Sequence, residues 1–139
     1  MYATTYAKAK DVADAVSQLK GADEGKLLAG GQTLIPTLKQ RLASSDCLID
    51  LSEAGLSGIS DEGGSIRIGA MTRHVEVETS ELVKKAIPAL ATLASGIGDR
   101  QVRNCGTIGG SVANNDPSAC YPSALLALDA TVHTDKRDI

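Results

Sequence analysis

Phenylalanine and tryptophan are absent and tyrosine occurs only three times, so a buried core must be built from Leu, Ile, Val and Ala. No apolar run approaches the roughly 20 residues that cross a bilayer as a helix. The N-terminal stretch M-Y-A-T-T-Y-A-K-A-K has no apolar signal-peptide core, and the chain reads as cytoplasmic. Positive charge is not in excess: 17 Asp and Glu stand against 14 Lys and Arg. That balance excludes a basic face for nucleic acid. No C-x-x-C pair exists, and Cys47, Cys105 and Cys120 are widely spaced. The chain therefore builds no metal or iron–sulfur site of its own, and free thiols are expected. G-x-S-x-G and H-E-x-x-H are also missing, so any redox or group-transfer chemistry must come from a bound cofactor.

What is present fits one ordinary domain: 139 residues, without internal repeats or low-complexity linkers. Thr4–Tyr6 reads as a short strand. Val12, Ala15, Val16 and Leu19 recur at helical spacing, and Gly21 sits at a natural helix end. Gly21–Lys26 imitates a nucleotide P-loop but is one residue short and precedes a strand instead of following one. Lys26–Ala29 reads as a strand, residues 30–33 as a tight turn, and a helix starts near Thr33 with Pro36 in its first turn. Cys47–Leu51 is another strand. Two strands, 59–61 and 65–69, are joined by Glu62-Gly63-Gly64, a hairpin signal. Helices are expected over 73–79, with Thr72 as cap, over 81–86, and over 89–97. Residues 101–120 read as a loop, followed by a helix over 121–128 and a strand over 130–134. His74 and His133 read as surface histidines, and Glu76, Glu78 and Glu81 as a solvated face.

Two glycine turns carry the functional signal. Gly30-Gly31 lead into Gln32-Thr33, and Gly109-Gly110 into Ser111. In each, a strand is expected to deliver bare backbone to a helix start, where free N–H groups and the helix dipole favour phosphate. Two such turns on facing subdomains can hold the two phosphates of a dinucleotide. Gly96–Gln101 begins like a Rossmann fingerprint but lacks its last glycine and follows a helix, so that reading is rejected.

The stretch Ala29-Gly30-Gly31-Gln32-Thr33-Leu34-Ile35-Pro36, with Lys39 and Arg41, resembles the first FAD motif of the molybdenum hydroxylase flavoproteins, the medium subunits of carbon monoxide dehydrogenase and xanthine dehydrogenase type enzymes. Thr107-Ile108-Gly109-Gly110-Ser111-Val112-Ala113-Asn114, followed by Asp116-Pro117, resembles the second. Ile68–Thr72 and Gln101–Asn104 also match the family pattern. The resemblance implies an α+β, two-subdomain FAD-binding fold of the vanillyl-alcohol oxidase and molybdopterin dehydrogenase type. Subdomain one is expected over 1–52 and an incomplete subdomain two over 53–139, because family members continue past Ile139. It further implies FAD contacts at Ala29, Gly30, Gly31, Gln32, Thr33 and Leu34, at Ile97 and Gly98, and at Thr107, Ile108, Gly109, Gly110 and Ser111, with Asp116 and Cys120 beside them. Cys120 stands where many members carry an Asp that touches the cofactor, and a thiol is only a weak donor.

The implied role is electron transfer: iron–sulfur clusters pass electrons to FAD, and FAD to an external acceptor. The implied partners are a molybdopterin-binding large subunit and a [2Fe–2S] small subunit, with no nucleic acid and no membrane span. Two other readings stay open: a fragment that keeps the fold without binding FAD, and a stand-alone flavin oxidoreductase.

Overall fold

A computed structural model describes all 139 residues. Its first fifty residues form a parallel three-stranded sheet with two helices. β1 (Thr5–Lys8) and β2 (Lys26–Leu28) flank β3 (Cys47–Asp50), in the order β1-β3-β2. α1 (Val12–Gly21) connects β1 to β2, and α2 (Leu34–Lys39) connects β2 to β3. Parallel strands need such helical crossovers. Asp11 caps α1, its carboxylate accepting the Asp14 N–H at 2.8 Å. The apolar stripe of α1 covers one sheet face, where Ala9, Ala15 and Ile49 are buried together.

The remaining chain is mostly helical around a second core. An antiparallel hairpin of β4 (Ile59–Asp61) and β5 (Ile66–Ile68) turns through Gly63 and Gly64, both at positive φ. Six helices follow: α3 (His74–Thr79), α4 (Glu81–Ala86), α5 (Pro88–Ser95), α6 (Arg100–Cys105), α7 (Ile108–Asn114) and α8 (Cys120–Ala127). Pro88 opens α5, a position where its missing N–H costs nothing. Val77, Val83, Leu90, Ala91, Ala94, Ile108 and Tyr121 are buried together, with Ile59 and Ile68 of the hairpin against them. Small aliphatics and one tyrosine thus fill the space that aromatics take in many domains. No helix is long and apolar enough to cross a membrane.

Several local expectations change. Residues 101–105 form α6 instead of a loop, because Asp99 caps it by accepting the Val102 N–H at 2.8 Å after Gly98 has turned the chain at positive φ. Arg73, not Thr72, flanks α3, and the Glu76 carboxylate accepts its N–H at 2.7 Å. Thr72 is buried and its hydroxyl exchanges hydrogen bonds with the Gly58 backbone. The expected strand over 130–134 is reduced to a short antiparallel pairing with 137–139, in which Val132 and Ile139 exchange backbone hydrogen bonds at 2.7 and 3.0 Å around the His133–Asp138 bridge.

The burial pattern sets a stability contrast. Leu90→Ala should destabilise the protein by about 2–5 kcal/mol in urea titration, because Leu90 is buried among core side chains. Leu42→Ala, at a side chain 74% exposed, should fall within about 0.5 kcal/mol of wild type.

Candidate functional site

The first glycine turn leaves its backbone unpaired. From Ala29 to Leu34, no backbone N–H donates to a protein acceptor. Gln32 and Thr33 are exposed, and Ala29, Gly30, Gly31 and Leu34 are half-buried. Gly31 has φ +70°, which lets the chain bend from β2 into α2. Successive unpaired amides in a turn are the kind of backbone that can bind an anion. The Gln32 side-chain amide donates to Gly30 O at 3.3 Å.

The second glycine turn is built differently, and the expected geometry is corrected here. Gly109 and Gly110 lie inside the first turn of α7, and the segment before them is α6, not a strand. Every N–H at the start of α7 is already used. Ile108 N–H donates to Thr72 O (3.0 Å), Gly109 N–H to Ala70 O (2.8 Å), Gly110 N–H to Thr107 Oγ1 (3.1 Å) and Ser111 N–H to Thr107 O (3.0 Å). Thr107 is the N-cap. With the His74 N–H donating to Gly106 O at 2.9 Å, the segment 106–109 is docked on residues 70–74 by a short antiparallel pairing centred on Arg73 and Thr107.

The glycines make room for protein backbone. A Cβ on Gly30 would lie 2.3 Å from Cys105 O and 2.7 Å from Gly106 Cα; one on Gly109 would lie 2.5 Å from Ala70 Cβ and 2.7 Å from Ala70 O. One on Gly110 would meet Thr107 Oγ1 at 2.8 Å and Ala29 Cβ at 3.4 Å. The two turns, distant in sequence, therefore touch: Ala29-Gly30 packs on the 105–110 segment.

Beside this contact lies a cleft of about 510 Å³, lined in part by Ala29, Gly30, Asp50, Arg73, Cys105 and Thr107. Asp50 stands at the carboxyl end of β3, on the same sheet side as Leu28, with which it is in register. Burial pulls its carboxyl up. Hydrogen bonds from the Tyr6 hydroxyl and from Ser52 outweigh that and hold it below the usual carboxylate range.

The other named residues are spread around this centre. Gln32 and Thr33 are exposed on the turn, and Ser111 is half-buried on α7 with no hydrogen bond from its hydroxyl. The Ile108 side chain is in the core, and Ile97 packs against that core. The carbonyls of Ile97 and Gly98 accept from Arg103 at 3.3 and 3.2 Å. Asp116 is exposed in the α7–α8 connection and accepts the Ser118 N–H at 2.8 Å. Cys120 is an exposed thiol at the start of α8. Of the residues expected at the site, only Ala29, Gly30 and Thr107 line the cleft.

Sequence reasoning missed two groups. His74, expected at the surface, is 4% exposed because α3 begins under Gly106 and turns the ring onto Tyr121. Burial, helped by the nearby Arg103 cation, holds its pKa below the ordinary histidine value. Glu78 is not merely solvated: its carboxylate accepts from Arg103 Nε at 2.9 Å, tying α3 to α6. His133 is exposed, against Asp138 at 2.7 Å. No group of three or more His, Cys, Asp or Glu side chains is placed to hold a metal ion.

Residues 2–138 match the model of a family described as the FAD binding domain in molybdopterin dehydrogenase. The chain is 39% identical over 129 residues to the glyceraldehyde dehydrogenase medium chain of Sulfolobus acidocaldarius, covering 92% of this chain and 46% of that one. It is 41% identical over 127 residues to the carbon monoxide dehydrogenase medium chain of Hydrogenophaga pseudoflava, covering 90% and 44%. The solved carbon monoxide dehydrogenase from Hydrogenophaga pseudoflava that lacks the Mo-pyranopterin moiety superposes with a TM-score of 0.89 at 41% identity, covering 91% of this chain and 45% of that one. The chain thus spans less than half the length of these relatives.

The contacts at the glycines order three substitutions. Gly30→Ala and Gly109→Ala should each cost about 1–3 kcal/mol, since backbone or Cβ atoms must give way. Gly21→Ala meets nothing within 4 Å at an ordinary φ and should be neutral or stabilising by up to about 1 kcal/mol. Thermal and urea unfolding of the three variants reads the order directly.

Proposed function

This chain belongs to the FAD-binding domain family of the molybdopterin dehydrogenases, and from that premise we propose that it serves as the flavin-bearing, electron-transferring part of a molybdenum hydroxylase medium subunit. The observation that carries the reading is the uninterrupted run of unpaired amides from Ala29 to Leu34, pressed against the second motif. A dinucleotide diphosphate is the ligand that such a run fits. Its negative oxygens accept several backbone hydrogen bonds at once, and charge-assisted bonds of this kind are about twice as strong as neutral ones. When bound, FAD supplies an isoalloxazine that accepts and returns electrons.

In this reading Ala29, Gly30, Gly31, Gln32, Thr33 and Leu34 hold the diphosphate. Thr107, Ile108, Gly109, Gly110 and Ser111 form the opposing wall, with the Ser111 hydroxyl as its free donor. Because the α7 amides are already engaged, that wall acts by shape and by this hydroxyl. Ile97, Gly98, Asp116 and Cys120 flank the cofactor further along. Subdomain one spans 1–52 and subdomain two 53–139, and the cofactor lies where they meet. The partners in this reading are a molybdopterin-binding large subunit and a [2Fe–2S] small subunit. Electrons arrive from the iron–sulfur clusters and leave through FAD to an external acceptor.

The engaged amides of α7 favour one second reading, a chain that keeps the fold without holding FAD. Titration of the purified chain with FAD and with riboflavin separates the two. FAD should raise the melting temperature, corresponding to about 2.7 kcal/mol when it is present at 100 times its Kd. Riboflavin, which has no diphosphate, should bind far more weakly. Equal effects of both ligands would sink the role given to the amides, and no effect of FAD at any concentration would leave the second reading.

A further inference from the structure

His74 is the first residue of α3, and its imidazole is buried directly under Gly106: a Cβ on Gly106 would lie 2.6 Å from Nε2 and 2.8 Å from Cδ2. The Tyr121 ring lies 5.4 Å from the His74 ring, centroid to centroid, at 41°. Neither His74 Nδ1 nor the Tyr121 hydroxyl has a hydrogen-bond partner in the protein. The His74 backbone N–H meanwhile holds Gly106 O. We infer that His74 is a positioning residue for the proposed FAD site: its buried imidazole is the floor on which Gly106 rests, and it keeps the 106–109 segment in register on residues 70–74. The inference rests on the reading above for its link to FAD, while the register itself is a property of the chain.

The surroundings accept the neutral ring and oppose the cation. A charge buried without a partner is costly. On α3 itself, Glu76 is occupied by the Arg73 N–H and Glu78 by Arg103. On α6 the nearby charge is Arg103, which repels an imidazolium. On α8 the ring faces Tyr121, with Cys120 next in sequence. On α4, Glu81 and Lys84 pair with each other at 2.8 Å and Lys85 is exposed. The sequences of α5 and α7 carry no charged side chain. The N-terminal end of a helix also disfavours positive charge.

The folded pKa of His74 lies below the ordinary value near 6.5, so the unfolded or undocked chain takes up the proton first as pH falls. The docking is at full strength above about pH 6.5 and is progressively lost below it. A Glu or Lys pairing would show a different window, and a purely steric role would show none.

The test uses the whole chain between pH 7.5 and 5. Hydrogen exchange at the Ile108 and Gly109 amides, corrected for intrinsic rates, should accelerate in wild type as pH falls. FAD affinity should fall with it, by up to about tenfold per pH unit for one linked proton. His74→Phe and His74→Gln cannot be protonated, and each should remove the step from both profiles. Variants that keep the wild-type profile overturn the inference. A wild-type exchange profile that stays flat over this range also overturns it, whether or not the variants fold. Absence of FAD binding at every pH counts against the functional reading alone, because the exchange profile still decides the role of His74.

Discussion

The site depends on a few backbone hydrogen bonds between residues 70–74 and residues 106–109. They join Thr72, Ala70 and His74 to Ile108, Gly109 and Gly106. This pairing places α7, lets the Thr107 hydroxyl cap it, and sets the surface against which Ala29-Gly30 packs. Buried backbone groups that lack partners cost about as much as a lost hydrogen bond. The register is therefore enforced: sliding the segment by one residue would strand several donors at once. Gly30, Gly106 and Gly109 are the positions where a side chain would separate the paired strands of chain.

The two glycine motifs divide the work. The first is electrostatically open, with a row of N–H groups that the protein leaves unpaired. The second is electrostatically closed, its donors already taken, and it contributes position and shape. Symmetry in the sequence, two Gly-Gly pairs before a polar residue, conceals this difference. Both turns touch other parts of the chain, but only at α7 do neighbouring carbonyls, those of Ala70 and Thr72, together with capping Thr107, meet the amides. The same docking draws His74 and Tyr121 into the core and leaves two polar atoms there without partners.

Much of the fold was legible because local rules acted alone. Val12, Ala15, Val16 and Leu19 marked α1 with Gly21 at its end, and Glu62-Gly63-Gly64 made the hairpin. These are short-range preferences of single residues, and nothing distant opposes them. The failures fall where distant contacts win. Residues 101–105 have few apolar side chains and look like a loop, yet Asp99 and the Arg103–Glu78 pair fix them as a helix. Gly109 and Gly110 are poor helix formers, yet the capping Thr107 and the docking on Ala70 hold them in α7. His74 looks like a surface residue because no local pattern tells which face of a six-residue helix is covered. Of the site itself, the sequence identified which residues carry the motifs. It did not reveal which of their N–H groups remain free.

The sequence by itself supplied motifs whose resemblance to a known family implied its α+β fold, and an absence of long apolar runs that excluded a membrane-crossing helix, since each depends only on which residue types occur and in what order. Tertiary structure decided which donors stay available, which glycine makes way for backbone, and whether a histidine is wet or buried. Those properties are relations between segments far apart in sequence, such as His74 with Gly106 and Gly30 with the 105–110 segment. A local pattern cannot encode them, because each hydrogen bond is spent or kept only when the second partner arrives.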